Sequence, residues 1–102
     1  MTATTAIRDQ VEEREIEISS DAAASIHEDG LVILHTRKGH LFTSNRTGAC
    51  IWRCIEQRLS FEAIAEKLTG EYQIARTTAR DHAARFLAEL ERHSLIERGA
   101  ES

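Results

Sequence analysis

The hydrophobic pattern of this chain changes period once, at Asn45, and that switch decides what it can fold into. Before Asn45 the apolar residues form short, β-type runs. Glu13 to Ile18 alternates briefly, a weak strand signal, and Ala23 to His27 reads as a short strand ending at the turn Glu28-Asp29-Gly30, where Asp-Gly is a strong hairpin pair. Leu31 to Thr36 is rich in β-branched residues and apolar on both faces. Arg37-Lys38-Gly39 reads as a three-residue turn in which Gly39 supplies positive φ, and His40 to Ser44 is the last strand.

After Asn45 the apolar residues recur every three to four positions. Asn45 or Thr47 can cap a first helix carrying Ile51, Trp52, Ile55 and Leu59, and Ser60 a second carrying Phe61, Ile64, Ala65 and Leu68 and closed at Thr69-Gly70. A third helix is expected from near Thr78, with Asp81 as capping-box partner and a stripe of Ala79, Ala83, Phe86, Leu87 and Leu90. Leu95-Ile96 returns the chain to the core. The expected fold is α+β: a three-stranded antiparallel β-meander followed by three α-helices that cover the sheet's apolar face.

At 102 residues the chain is one domain. The expected division is a flexible arm over 1–13, a domain over 14–98 and a tail over 99–102. Aromatics are only 5% of the residues, so the core must be built from Leu, Ile and Ala around Trp52, Phe42, Phe61, Phe86 and Tyr72. No apolar run spans a membrane, and Met1 to Gln10 lacks the basic start and apolar stretch of a secretory signal, so a cytoplasmic location is expected.

Charge is uneven. Residues 1–30 carry a net −6, residues 31–58 a net +4 and residues 59–102 a net −2. An acidic chain with a basic middle suits an acidic peptide better than nucleic acid.

The ordered stretch then resembles a known family. Val32-Ile33-Leu34-His35-Thr36, Gly39, Phe42, Asn45, Gly48-Ala49 and Ile51-Trp52 resemble the pattern of PqqD-like proteins: strand, turn, a strand ending in Asn, and a helix carrying Ile-Trp. Ser60, Ile64-Ala65, Leu68, Tyr72, Phe86-Leu87, Leu90 and Leu95-Ile96 continue it, so the similarity spans roughly residues 23–97. The resemblance implies a winged-helix-like RiPP recognition element. Such a domain binds the leader of a ribosomally made precursor peptide as an added strand and hands it to a modifying enzyme, such as a radical-SAM enzyme, a leader peptidase or a cyclase. Two positions depart from the pattern: Ser44 stands where many relatives have Leu, and His82 where they often have Asp. Leader preference therefore does not transfer.

No catalytic constellation is legible. His27, His35, His40, His82 and His93 show no catalytic spacing with Cys, Ser or paired carboxylates and read as surface or turn residues; no phosphate loop, HExxH or CxxC occurs. Cys50 and Cys54 are one pair without a second, and with only His35 and His40 near in sequence they read as buried, reduced helix residues rather than metal ligands. A non-enzyme without metal or cofactor is expected.

Two binding readings remain. The second and third helices, with Arg76 and Arg80 at the junction, suggest a helix-turn-helix bound to DNA. Against it stand an expected link from Gly70 to Thr77, longer than a tight turn, too few residues after the third helix for a wing, and carboxylates offsetting Arg80, Arg85 and Arg92. Peptide binding is favoured because His40 to Ser44, last before the helices, should form a sheet edge. On a helical wheel Phe86, Ala79 and Leu90 centre the core face of the third helix, with Arg80, Ala84, Leu87 and Glu91 on a flank. The expected peptide site is thus Leu41, Phe42, Thr43 and Ser44 with Arg80, Ala83, Ala84 and Leu87, the small alanines leaving room for a large apolar leader residue.

Overall fold

The computed structural model describes residues 16–98, so the expected arm and tail lie outside the described residues. The elements run β1 (Ile16–Ile18), β2 (Ala22–His27), β3 (Gly30–His35), β4 (His40–Ser44), α1 (Arg46–Glu56), α2 (Phe61–Tyr72), α3 (Arg76–Arg92) and β5 (Ile96–Arg98). The three-stranded antiparallel sheet, in the order β2-β3-β4, followed by three helices is the α+β arrangement that the period switch anticipates.

Beyond that meander, β1 and β5 form a second, two-stranded antiparallel sheet in which Ile16 lies opposite Arg98 and Ile18 opposite Ile96. The Ser19 amide bonds the Leu95 carbonyl at 2.9 Å and continues the clasp. Of the weak alternation read over Glu13 to Ile18, the described part Ile16–Ile18 is a strand, whose partner is the segment expected only to return to the core.

In β3, Leu31, Ile33 and His35 point into the core, whereas Leu34 faces out. The sheet's inner side packs on α1, whose Ile51, Trp52, Cys54 and Ile55 are buried. Ile64, Ala65 and Leu68 of α2 and Ala79, Ala83, Leu87 and Leu90 of α3 complete the core with Leu95 and Ile96. Trp52 is the one fully buried aromatic; Phe42, Phe61, Phe86 and Tyr72 sit half-buried against the core. Its indole N–H donates to Glu56 Oε2 at 3.0 Å, which satisfies the polar end of the side chain.

Asn45 caps α1 through Oδ1, which accepts from the Gly48 amide at 3.0 Å, and Ser60 caps α2 through Oγ, which accepts from the Ala63 amide at 3.1 Å. Two boundaries differ from expectation. α2 does not stop at Thr69-Gly70: Tyr72 packs against the core and holds another turn, and Gln73, left-handed at φ 53°, ends it. α3 begins at Arg76, with Ala75 at its N-cap and no side-chain cap, and Asp81 pairs with Arg85 rather than capping. The link between α2 and α3 is consequently Gln73-Ile74-Ala75, a tight turn, and the expectation of a long connection is corrected.

The hairpin turns also differ in detail. His27 pairs with Gly30, so Glu28-Asp29 makes the first turn. Gly30 has no positive φ; a Cβ there would run into the Ser44 carbonyl, so close approach of β4 is what requires glycine. His35 pairs with His40 across a four-residue turn, Thr36 to Gly39, with Gly39 at φ 73°. His35 is buried rather than superficial, and its Nδ1 accepts from the Lys38 amide at 3.2 Å, pinning that turn.

Candidate functional site

An edge strand exposes, on alternate residues, backbone N–H and C=O groups that its own sheet does not satisfy. Among the described residues β4 is such an edge, paired on one side only, through Leu31↔Ser44, Val32↔Thr43, Ile33↔Phe42, Leu34↔Leu41 and His35↔His40. Natural edges are commonly protected by charge or proline. His-Leu-Phe-Thr-Ser has neither lysine, carboxylate nor proline, so the strand is open to pairing.

The inner face of β4 meets α3 through aromatic contacts. The Phe42 ring lies 6.0 Å from that of Phe86 and 5.2 Å from the His93 imidazole, both tilted. Beside this cluster a groove of about 380 Å³ runs between the end of β4, the first turn of α1 and α3. Ser44, Asn45, Gly48 and Ile51 line one side, and His82, Arg85, Phe86 and Glu89 the other. Gly48 makes this junction possible: a Cβ there would strike the Ser44 side chain and come within 3.0 Å of Phe86 Cε1. The volume is enough for one or two large side chains, and the lining mixes apolar Ile51 and Phe86 with polar and charged side chains.

The residues expected from the sequence fall in two places. Leu41, Phe42, Thr43 and Ser44 lie together on the open edge. Ala83 and Leu87 are fully buried, so neither lines a solvent-open pocket. Arg80 turns to α2, where it pairs with Glu62 and stacks 5.2 Å over the Phe61 ring. Ala84 is exposed and lies about 160° around the helix from Phe86 at 3.6 residues per turn. The core face of α3 is rotated by roughly 35° from the expected centre toward Leu87. It is His82, Arg85, Phe86 and Glu89 that stand beside β4. The signal for them was available: Ala79 and Ala83 mark the side where α3 packs closest, and Phe86 is too large for it.

A larger hollow of about 450 Å³ lies elsewhere, among Ile26, His27, Arg46, Cys50, Cys54, Lys67, Glu71 and Tyr72. It adjoins the end of β2, the other edge of the sheet, through Ile26 and His27. Burial pushes the Cys54 thiol up to about 11, and the Cys50 thiol also up, which keeps both as protonated thiols. Among the described residues no group of three or more His, Cys, Asp or Glu side chains is placed to hold a metal ion. Nor is any described helix long and apolar enough to cross a membrane.

The arginines of α3 are engaged. Arg76 and Arg80 share Glu62, Arg85 pairs with Asp81 at 3.2 Å, and Arg92 pairs with Glu89. The Arg80 hydrogen bond holds the Glu62 carboxyl below its ordinary range. With the α2–α3 link short, this pairing is what separates α3 from a recognition helix with a row of free cations.

Fold and edge together define a small α+β domain whose edge strand lies beside a helical groove. The chain belongs to the PqqD family: the family model described as coenzyme PQQ synthesis protein D matches residues 30–96. Among solved structures, it is similar to TbiB1 in complex with the TbiA(beta) leader peptide, at 28% identity and a TM-score of 0.77 over 83% of this chain and 99% of that one. It shares the fold of a lasso peptide synthetase B1 complexed with the leader peptide, at 24% identity and a TM-score of 0.74 over 80% of this chain and 96% of that one. No curated protein sequence matches it.

Proposed function

We propose that this protein is a peptide chaperone of ribosomal-peptide biosynthesis. It captures the leader segment of a precursor peptide as a fourth strand on β4 and presents it to a modifying enzyme in the cytoplasm. The observation that carries this reading is the open edge from Leu41 to Ser44 lying against a groove that can sort side chains. Backbone pairing gives affinity with little sequence demand, and the groove beside Phe86 gives selectivity. The kinship with TbiB1, itself in complex with a leader peptide, supports it. The protein's part is binding; the chemistry belongs to the partner, a radical-SAM enzyme, a leader peptidase or a cyclase. The paired arginines of α3 argue against the DNA-binding alternative.

The test is calorimetric titration with the leader of a precursor encoded beside this chain, with amide shifts mapped by NMR. Micromolar or tighter binding with shifts centred on residues 41–44 is expected. Salt-sensitive binding to duplex DNA and none to the leader would overturn it.

A further inference from the structure

We propose that the added peptide is held on both faces of the sheet through two adjacent large apolar residues. One packs against Phe42 and Phe86 on the helix side, and its neighbour packs against Leu41 and Leu34 on the open side. This rests on the proposed function and adds the class of leader sequence that the edge selects.

Leu41 and Leu34 are the exposed large hydrophobics among the described residues, at 66% and 38%. They are direct cross-strand partners, and Leu34 in turn faces Ala23 of β2. An apolar row therefore crosses the open face of the sheet and stops at its edge, with its most exposed member last. The adjacent row, Ser25-Val32-Thr43, is more polar, so the apolar surface is confined to one register position. A strand added to β4 places one residue directly beyond Leu41, within about 5 Å between Cβ atoms, and its sequence neighbour on the opposite face beside Phe42. Whether the strand runs parallel or antiparallel, the two faces of that position are filled by consecutive residues. A half-buried strand would show apolar residues at alternate positions; this edge calls for an adjacent pair, which also fixes the register of the peptide.

A displayed library of random 16-residue peptides, panned against the wild-type protein and against Leu41→Ser and Phe86→Ser, tests the idea, with enriched sequences synthesised and titrated. Wild-type winners should share two adjacent large apolar residues. Replacing the open-face member by Ser should weaken wild-type binding about fivefold or more, and should have little effect on Leu41→Ser, the mark of a coupled pair. Winners with apolar residues only at alternate positions, bound equally by Leu41→Ser, would overturn the inference and leave leader binding standing. Sedimentation showing a dimer that Leu41→Ser dissociates would also overturn it, by assigning the row to a second copy. No enrichment at all would remove the proposed function with it.

Discussion

Two glycines in terminal helical turns, Gly48 of α1 and Gly70 of α2, form a matched pair for testing how tightly the groove is built. Neither has positive φ, so alanine fits the backbone at both. Replacing glycine by alanine within a helix gains about 1 kcal/mol, somewhat less near an end. At Gly70 a Cβ meets nothing within 4 Å, so Gly70→Ala should stabilise by about 0.5–1 kcal/mol and raise Tm by roughly 2–8 °C. At Gly48 the new Cβ would lie 2.7 Å from Ser44 Cβ and 3.0 Å from Phe86 Cε1. A serine hydroxyl can rotate away, but Ser44 Cβ is fixed to the β4 backbone, and Phe86 is backed by Phe42. Either the end of β4 or α3 must move, and such overpacking costs about 1–3 kcal/mol, so Gly48→Ala should lose up to about 2 kcal/mol net. Urea and thermal melts measure both, and titration with a bound leader should show affinity lost only in Gly48→Ala. Equal stabilisation at the two positions would refute the reasoning, because β4 and α3 would then separate at no energetic cost.

Truncating the groove wall with Phe86→Ala should weaken leader binding about tenfold, whereas Ala84→Trp, on the far side of α3, should leave affinity unchanged; calorimetry on both decides which flank the peptide meets. Trp52→Ala should cost about 3–5 kcal/mol, enough to unfold so small a domain, with loss of cooperative melting as the readout. Burial raises Cys54 from an ordinary 9.0 to about 11. Its contribution to stability is complete below pH 9, and above it the unfolded chain gives up a proton that the folded chain retains. Stability should therefore fall by about 2–3 kcal/mol between pH 9 and 11, and Cys54→Ala should flatten that part of the urea-melt profile.

The strands and helices were legible because their signals are local: the alternation before Asn45, the caps Asn45 and Ser60, and the turn glycine at 39. The end of α2 was not, because Tyr72 gains enough from packing to carry the helix past Gly70 and stop it at a left-handed Gln73. The β1–β5 pairing escaped because two strands of three residues, far apart in sequence, leave no local mark of each other. The edge half of the site followed from strand order alone. The groove half depended on how α3 is rotated about its axis. Ala79 and Ala83 set that rotation by letting α3 approach the core closely, and Phe86, placed at the centre by the helical wheel, stands at the margin beside Phe42.

The β1–β5 clasp sets how this domain can be joined to other chains. Since Ile16 sits opposite Arg98, polypeptide enters and leaves the described fold side by side. A host protein could carry the whole unit in one surface loop, its two cut ends held only a strand's width apart, about 4.8 Å. Joining both ends to the host would reinforce the clasp. Joining one would leave the domain free to swing, with the reach of its tether setting the effective concentration of whatever β4 holds.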